Sequence, residues 1–336
     1  MTQGLLFFFV SVLTLGGIYA MLALLLNIIA GWGGMPDLGI AGLVGVACYT
    51  YAITTQTTVD EVVFMPQLPW WGGILAASLV TGVAALLIGI PTLRLRGEYF
   101  LITTLAFAEM IRQIALNAIP LTNGTVGFAQ VERPFSEQFV GRDYRFFLLA
   151  VVAVAVVLVY LLAKRISTSP FGRMLRGARD NESVAVSLGK SVSRNRIIIY
   201  TFIGLMLGLV APIYLWHMRT TVPSMFVSEL TFTVWTALVI GGIGSRIGPV
   251  AGALVLIGVT ELITLLQGSN EHAQLLAAAR PVLLGLVLIL ALRFLPHGLF
   301  TERRAFAGAS RRWAMKSPGV SASQPTPTAK PQEVLG

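Results

Sequence analysis

Phe146-Phe-Leu-Leu-Ala150-Val-Val-Ala-Val-Ala155-Val-Val-Leu-Val-Tyr160-Leu-Leu-Ala163 runs without a single charged residue. A bilayer core takes roughly 20 apolar residues per helical crossing, so this stretch reads as a membrane span. Working outward, the same pattern recurs. Apolar segments are expected at 5–30, 35–54, 70–93, 99–118, 146–163, 197–217, 230–243, 250–266 and 281–295. The second and seventh are short or glycine-rich, which leaves eight to ten crossings open. Of 336 residues, 55% are hydrophobic and 12% are charged, against about 25% charged in soluble domains. A soluble globular protein is excluded. The expected fold is all-α: a polytopic membrane bundle with glycine-broken helices and a weak internal repeat.

Residues 1–4 lack a basic n-region, and the stretch 5–30 is too long for a signal h-region, so it reads as a retained helix. A lone Cys48 rules out an internal disulfide. His217, His272 and His297 lie far apart without metal-ligand spacing.

Charge orients the bundle. Segment 164–196 holds eight basic residues against Asp180 and Glu182, a net +6, and segment 301–336 holds six against Glu302 and Glu333, a net +4. Together they exceed the net +9 of the whole chain, so the remainder is slightly acidic. The positive-inside rule makes both regions cytoplasmic, with the short connection at Arg94 and Arg96. Asp60, Glu61 and the loop 119–145 then face outward. Because the positive charge maps onto cytoplasmic flanks, it gives no reason to invoke nucleic acid. One membrane domain is expected over 1–300, followed by a basic, disordered tail at 301–336, rich in Pro, Ser, Thr and Ala from Ser317 onward.

Two apolar stretches are interrupted alike. Asn27, Gly31, Gly33, Gly34, Pro36, Asp37 and Gly39 precede Gly42 and Gly45; Gly241, Gly242, Gly244, Ser245, Gly248 and Pro249 precede Gly252. Each is a glycine-rich break, a proline near a fresh helix start, then small residues along the new helix. Non-helical backbone at membrane depth survives only inside protein or beside a wet cavity, and paired breaks point to a transport pathway. Asn27, Gly34, Asp37, Gly39, Gly241, Gly244 and Gly248 are therefore pathway candidates. Ordinary small-residue helix packing is the plainer alternative for any single glycine. Glu109 is a further candidate, although Arg112 three residues on could simply neutralise it.

Between Ser169 and Gly189, residues 173–188 combine helix formers and charges with apolar Leu175, Ala178, Ala185 and Leu188, the pattern of a short amphipathic helix outside the bilayer. A solvated loop whose arginines set topology is the plainer alternative. Gly189-Lys190-Ser191 imitates the end of a P-loop, but position 184 is Val where that motif needs Gly. No nucleotide site is expected in this chain.

These blocks together carry a family resemblance. Asn27…Gly31…Gly34…Leu38-Gly39-x-Ala41…Gly45…Tyr49, the run from Leu93 to Glu109 (LRLRGEYFLITTLAFAE), Asn123-Gly124…Gly127, the stretch 171–189, Gly241-Gly-Ile-Gly244-Ser245-x-x-Gly248-Pro249, and Arg293-Phe-x-Pro296-x-Gly298-Leu299 resemble the permease subunits of branched-chain amino-acid ABC importers of the LivM-like type, up to Phe300. The resemblance implies a bacterial cytoplasmic-membrane permease with a cytoplasmic C-terminus. It implies a second related permease, two cytoplasmic ATPase subunits that bind the ATP, an extracytoplasmic solute-binding protein, and a small polar solute; the chain itself would carry no cofactor and no catalysis. It makes 164–196 the ATPase-coupling loop, with Arg176, Asp180, Glu182, Ala185 and Gly189 as contact candidates: Glu182 a polar anchor, Ala185 a close-approach position, Gly189 the helix-ending residue. Relatives handle urea, sugars, nucleosides and amides. Where the family often has Ser-Leu-Gly-His, this chain has Asp37-Leu38-Gly39-Ile40; Asp37 either caps free N–H groups or faces the pathway. An ion-coupled secondary transporter would place several acids at mid-membrane, and Asp37, Glu109 and Glu261 are too few and scattered for that. An intramembrane enzyme lacks any nucleophile–base or metal constellation.

Overall fold

The computed structural model of the protein describes residues 2–57, 62–93, 95, 97–139 and 141–267, and positions 282, 285–286, 288–290, 293–294 and 298–300. Expectations at Asp60, Glu61, Arg94, Arg96, His272, His297 and the tail 301–336, and most of the ninth span, lie outside the described residues.

Helix α1 covers Thr2–Leu26 and continues as a π-helical turn, Asn27–Trp32. It is followed by α2 (Ile40–Thr55), α3 (Trp70–Thr92), α4 (Glu98–Asn117), the short α5 (Ile119–Thr122), α6 (Arg142–Thr168), α7 (Pro170–Asp180), α8 (Glu182–Ser187), α9 (Val192–Met218), a 3₁₀ turn (Pro223–Phe226), α10 (Ser228–Gly241) and α11 (Gly248–Gln267). Among the described residues, eight of the nine expected spans coincide with a helix whose ends are displaced by about five residues at most. Among the described residues, five helices are long and apolar enough to cross a membrane, and α2, α10 and α11 are shorter apolar helices.

Burial sorts the helices into two layers. α1 beyond Leu15, α2 and much of α10 are enclosed by other helices. The outer helices α3 and α6 turn Leu79, Leu87, Val154 and Leu158 outward, so their exposed flanks are as apolar as their buried ones. A helix that is apolar all round and half exposed is matched to a hydrocarbon solvent. Small residues set the closest contact: Gly204 and Gly208 of α9 lie against Ala85 and Ser78 of α3 with no room for a Cβ, and Ser78 Oγ donates to the Leu205 carbonyl at 2.9 Å. Such small-xxx-small faces let helices meet where no hydrophobic effect drives them together.

α2 has 16 residues, which is about 24 Å of helix against a hydrocarbon thickness of about 30 Å. Its expected start at residue 35 is corrected to Ile40, because residues 33–39 form an irregular connection inside the protein. The single amphipathic helix expected over 173–188 is instead two, α7 and α8. Asn181 breaks it with an extended backbone (φ −156°), and its Oδ1 accepts from Val184 N at 3.2 Å, capping α8.

The two ends of the bundle differ. One gathers α7, α8, the π-helical turn, the connection 33–39 and the turn between α10 and α11. The other gathers the start of α1 against the start of α6, with Phe7 and Phe146 ring centroids 6.4 Å apart, and the loop after α5 bridged to the end of α9 by Phe128 and Thr221.

Candidate functional site

The two glycine-rich breaks, more than 200 residues apart in sequence, meet in one contact. Gly244 N donates to Asn27 Oδ1 at 2.7 Å, Asn27 Nδ2 donates to the Ser245 carbonyl at 2.6 Å, and Trp32 Nε1 donates to the Gly244 carbonyl at 2.8 Å. All of these residues are buried, so the side chains of the first break supply the partners that the irregular backbone of the second lacks. Both glycines of this contact are required: Gly244 takes φ +81°, and a Cβ on Gly31 would lie 2.8 Å from Gly244 N. Beyond the turn, Gly241, Gly248 and Gly252 bring α10 and α11 into backbone contact. The last carbonyls of α10 are closed by Leu299 N on Ile240 O at 2.8 Å and Phe300 N on Gly241 O at 3.0 Å.

The connection 33–39 is paid for by side chains from three helices. Leu38 N donates to Thr104 Oγ1 of α4 at 3.1 Å; the Asp37 carbonyl accepts from Trp235 Nε1 of α10 at 2.7 Å; Thr231 Oγ1 donates to the Leu38 carbonyl and accepts from Ala41 N. Asp37 is 1% exposed. Its Oδ1 accepts from Gly39 N at 2.7 Å and its Oδ2 from the Tyr200 hydroxyl of α9 at 3.4 Å. Of the two roles open to Asp37, the geometry is that of a cap on the backbone entering α2.

α7 and α8 form an arm whose inner side touches the first break. Arg179 Nη1 donates to the Gly31 carbonyl, and its side-chain stem covers Gly34, where φ is +66° and a Cβ would meet Arg179 Cγ at 2.5 Å. Arg173 and Arg176 instead cap the end of α6, donating to the Thr168 and Ser167 carbonyls at 2.9 Å each, where cations also suit the helix dipole. Glu182 pairs with Arg196 at the start of α9 at 3.3 Å. Ala185 points inward to a small cluster with Ala178 and Val192. Gly189 ends α8 at φ +72°, with Gly189 N on Val186 O at 2.8 Å and Lys190 N on Ala185 O at 3.1 Å. That pair of bonds is the Schellman pattern, with Gly189 at the C′ position. Asp180 is exposed and pairs with Arg179 at 3.0 Å. Val184, Val186 and Leu188 project from α8 with more than half their surface uncovered.

The remaining candidate, Glu109, lies on the uncovered face of α4. It is held bidentately by Arg112 (2.9 and 2.5 Å) and accepts from Gln113 Nε2 at 2.9 Å; Asn117 Nδ2 donates to the Gln113 carbonyl at 2.7 Å. Glu109, Gln113 and Asn117 recur every four residues, so they stack on one helical face. The result is a polar ladder from the middle of a membrane-length helix to its end. Asn27, Asp37, Gly39, Gly241, Gly244 and Gly248 by contrast are buried in packing, and Gly34 is half-buried beneath Arg179. Arg179, Trp32 and Ser245 are participants that were not among the expected pathway or coupling residues. Gln113 and Asn117 could have been found from their spacing after Glu109.

A family model described as branched-chain amino acid transport system, permease component, matches residues 8–292. The chain is 27% identical over 317 residues to the high-affinity branched-chain amino acid transport system permease protein LivM of Salmonella typhimurium, covering 88% of this chain and 70% of that one. The Escherichia coli protein of the same name gives the same identity and coverage. The probable branched-chain amino acid transport permease protein LivM of Methanocaldococcus jannaschii is 25% identical over 336 residues, with 90% and 96% covered. No solved structure matches the chain significantly. These relatives and the long apolar helices make this a multi-pass membrane protein, and the chain belongs to the family of permease components of branched-chain amino acid transport systems.

Proposed function

We propose that this chain is one of two permeases that together form the pore of an ATP-driven importer for branched-chain amino acids in the bacterial cytoplasmic membrane. The carrying observation is the ladder on α4. An ion pair and two amides on a bilayer-spanning face are tolerated where they meet protein or a wet cavity, not lipid. The second permease covers that face, and the solute passes along it. The substrate follows the relatives' names. The α7–α8 end is cytoplasmic, in keeping with its net positive charge, and there the uncovered Val184, Val186 and Leu188 dock on a separate ATPase that holds the ATP. Arg179 then links the docked arm to the first break, so that ATPase closure shifts the population between outward- and inward-open arrangements. A solute-binding protein delivers the substrate on the opposite side.

Thiol labelling in the assembled importer tests the path, with the buried Cys48 giving a silent background. A membrane-impermeant reagent is expected to modify Gln113→Cys and to be slowed by leucine, while Leu79→Cys on the apolar flank of α3 stays unlabelled. Leucine-independent labelling of Gln113→Cys, or none at all, would overturn the assignment.

A further inference from the structure

The end of the molecule opposite α7 and α8 carries a concentration of arginines. Segment 119–145 has three basic and three acidic residues, so it reads as neutral. Among the described residues these charges do not pair with one another. Arg133, Arg142, Arg145 and Arg219 line two adjoining half-open clefts of about 540 and 640 Å³, which share Arg133 and Arg219. Among the described residues, no carboxylate lies within ion-pairing distance of any of the four. Glu132 lines one cleft without pairing with them. Aromatic rings support the guanidinium groups instead: Arg133 lies 4.4 Å from the Tyr144 centroid, and Arg142 and Arg145 lie 5.3 and 5.5 Å from that of Phe7. The only hydrogen bond to another group described for the four side chains is from Arg133 Nη1 to the Trp216 carbonyl, at 3.4 Å.

Several features disfavour this arrangement unless something compensates it. Burial, and then the neighbouring Arg219, push the Arg133 guanidinium below the ordinary arginine range. Arg142 and Arg145 stand in the first turn of α6, where the helix dipole favours anions, with only Asp143 to offset them. Under the positive-inside rule these residues also oppose the topology that the 164–196 loop sets. They are not there to orient the chain.

We infer that this arginine-lined cleft is the docking surface for an acidic protein face, that of the solute-binding partner. The inference rests on the importer reading above. The walls are helix ends and loop tips, not helix flanks, so the clefts open to water and not to hydrocarbon. The four cations come from three separate parts of the chain and spread over two clefts, a footprint matched by several carboxylates at fixed spacing more than by one small anion. Gln56, Gln130 and Ser136 add neutral donors and acceptors to the rim.

The test uses the complete importer in nanodiscs of zwitterionic lipid and its own purified solute-binding protein, with association rates measured at rising salt. The double variant Arg145→Glu, Arg219→Glu is expected to slow association about tenfold or more and to flatten its salt dependence, because exposed surface charges act mainly through steering. Arg145→Gln with Arg219→Gln should fall between it and the wild type. Unchanged ATP hydrolysis without binding protein shows that the variants have assembled. Wild-type association rates and salt dependence in both variants would overturn the inference, as would an effect confined to nanodiscs containing anionic lipid, which would make the cleft a headgroup site. A wild-type importer that binds no solute-binding protein would instead bring down the importer reading itself.

Discussion

Arg179 joins two functions in one side chain: its guanidinium holds the Gly31 carbonyl, and its stem fills the space above Gly34. A hydrogen bond from a charged group is worth about 1.5–3 kcal/mol, enough to bias a two-state element tenfold or more. Arg179→Ala is therefore expected to keep ATPase association and hydrolysis while lowering the solute moved per ATP by about tenfold, with Arg179→Lys between the two. Parallel hydrolysis and uptake measurements in proteoliposomes check this, and an unchanged ratio would show that Arg179 only packs. At this scale the sequence was partly legible. The Glu109–Arg112 pairing follows from spacing alone, and Gly189 is readable as a helix stop. The clasp of Asn27 on Gly244 is not readable, because nothing local distinguishes that asparagine from any other polar residue in an apolar run. Asp37 could be narrowed to two roles, and no local pattern reveals that its connection is held by Thr104, Tyr200 and Trp235 from three other helices.

Among the elements, α8 has the clearest division of faces. Ala185 is turned into the arm, whereas Val184, Val186 and Leu188 are offered outward. Val186→Glu and Leu188→Glu are each expected to weaken ATPase co-purification by about tenfold or more, since each puts a charge into an apolar contact. Gly189→Val should act on the same contact by a different route, forcing a β-branched residue to φ +72° and fraying the end of α8. Co-purification of all three variants at normal wild-type yield would remove α8 from the interface. Amphipathic spacing announced this arm. Its division at Asn181 was missed because periodicity runs straight across a residue whose side chain prefers to cap. The short α2 and α10 were flagged by their length; their tertiary partners were not.

Across the whole molecule, hydropathy foretold the helices, and the segment charge balance puts the α7–α8 end on the cytoplasmic side in the proposed topology. Ser187 and Ser136 are exposed at opposite ends, so Ser187→Cys should be labelled only from the cytoplasmic side and Ser136→Cys only from outside. Ser167 is a poor reporter because it is 1% exposed. Labelling of both from one side would discard the topology, and labelling of each from the opposite side would invert it. The arginine clefts show where such summation fails: adding charges along 119–145 cancels arginines and carboxylates that form no ion pair among the described residues.

The clasp between the two breaks also fixes a timetable. Asn27 is synthesised 217 residues before Gly244, whose N–H it accepts. At about 5–20 residues per second, its carboxamide enters the membrane some ten to forty seconds ahead of its partner. Throughout that interval α1 carries an unmatched amide that hydrocarbon cannot solvate, and water or the insertion machinery must shelter it. The buried amide of the amino-terminal half is thus matched only once the turn after α10 has been made.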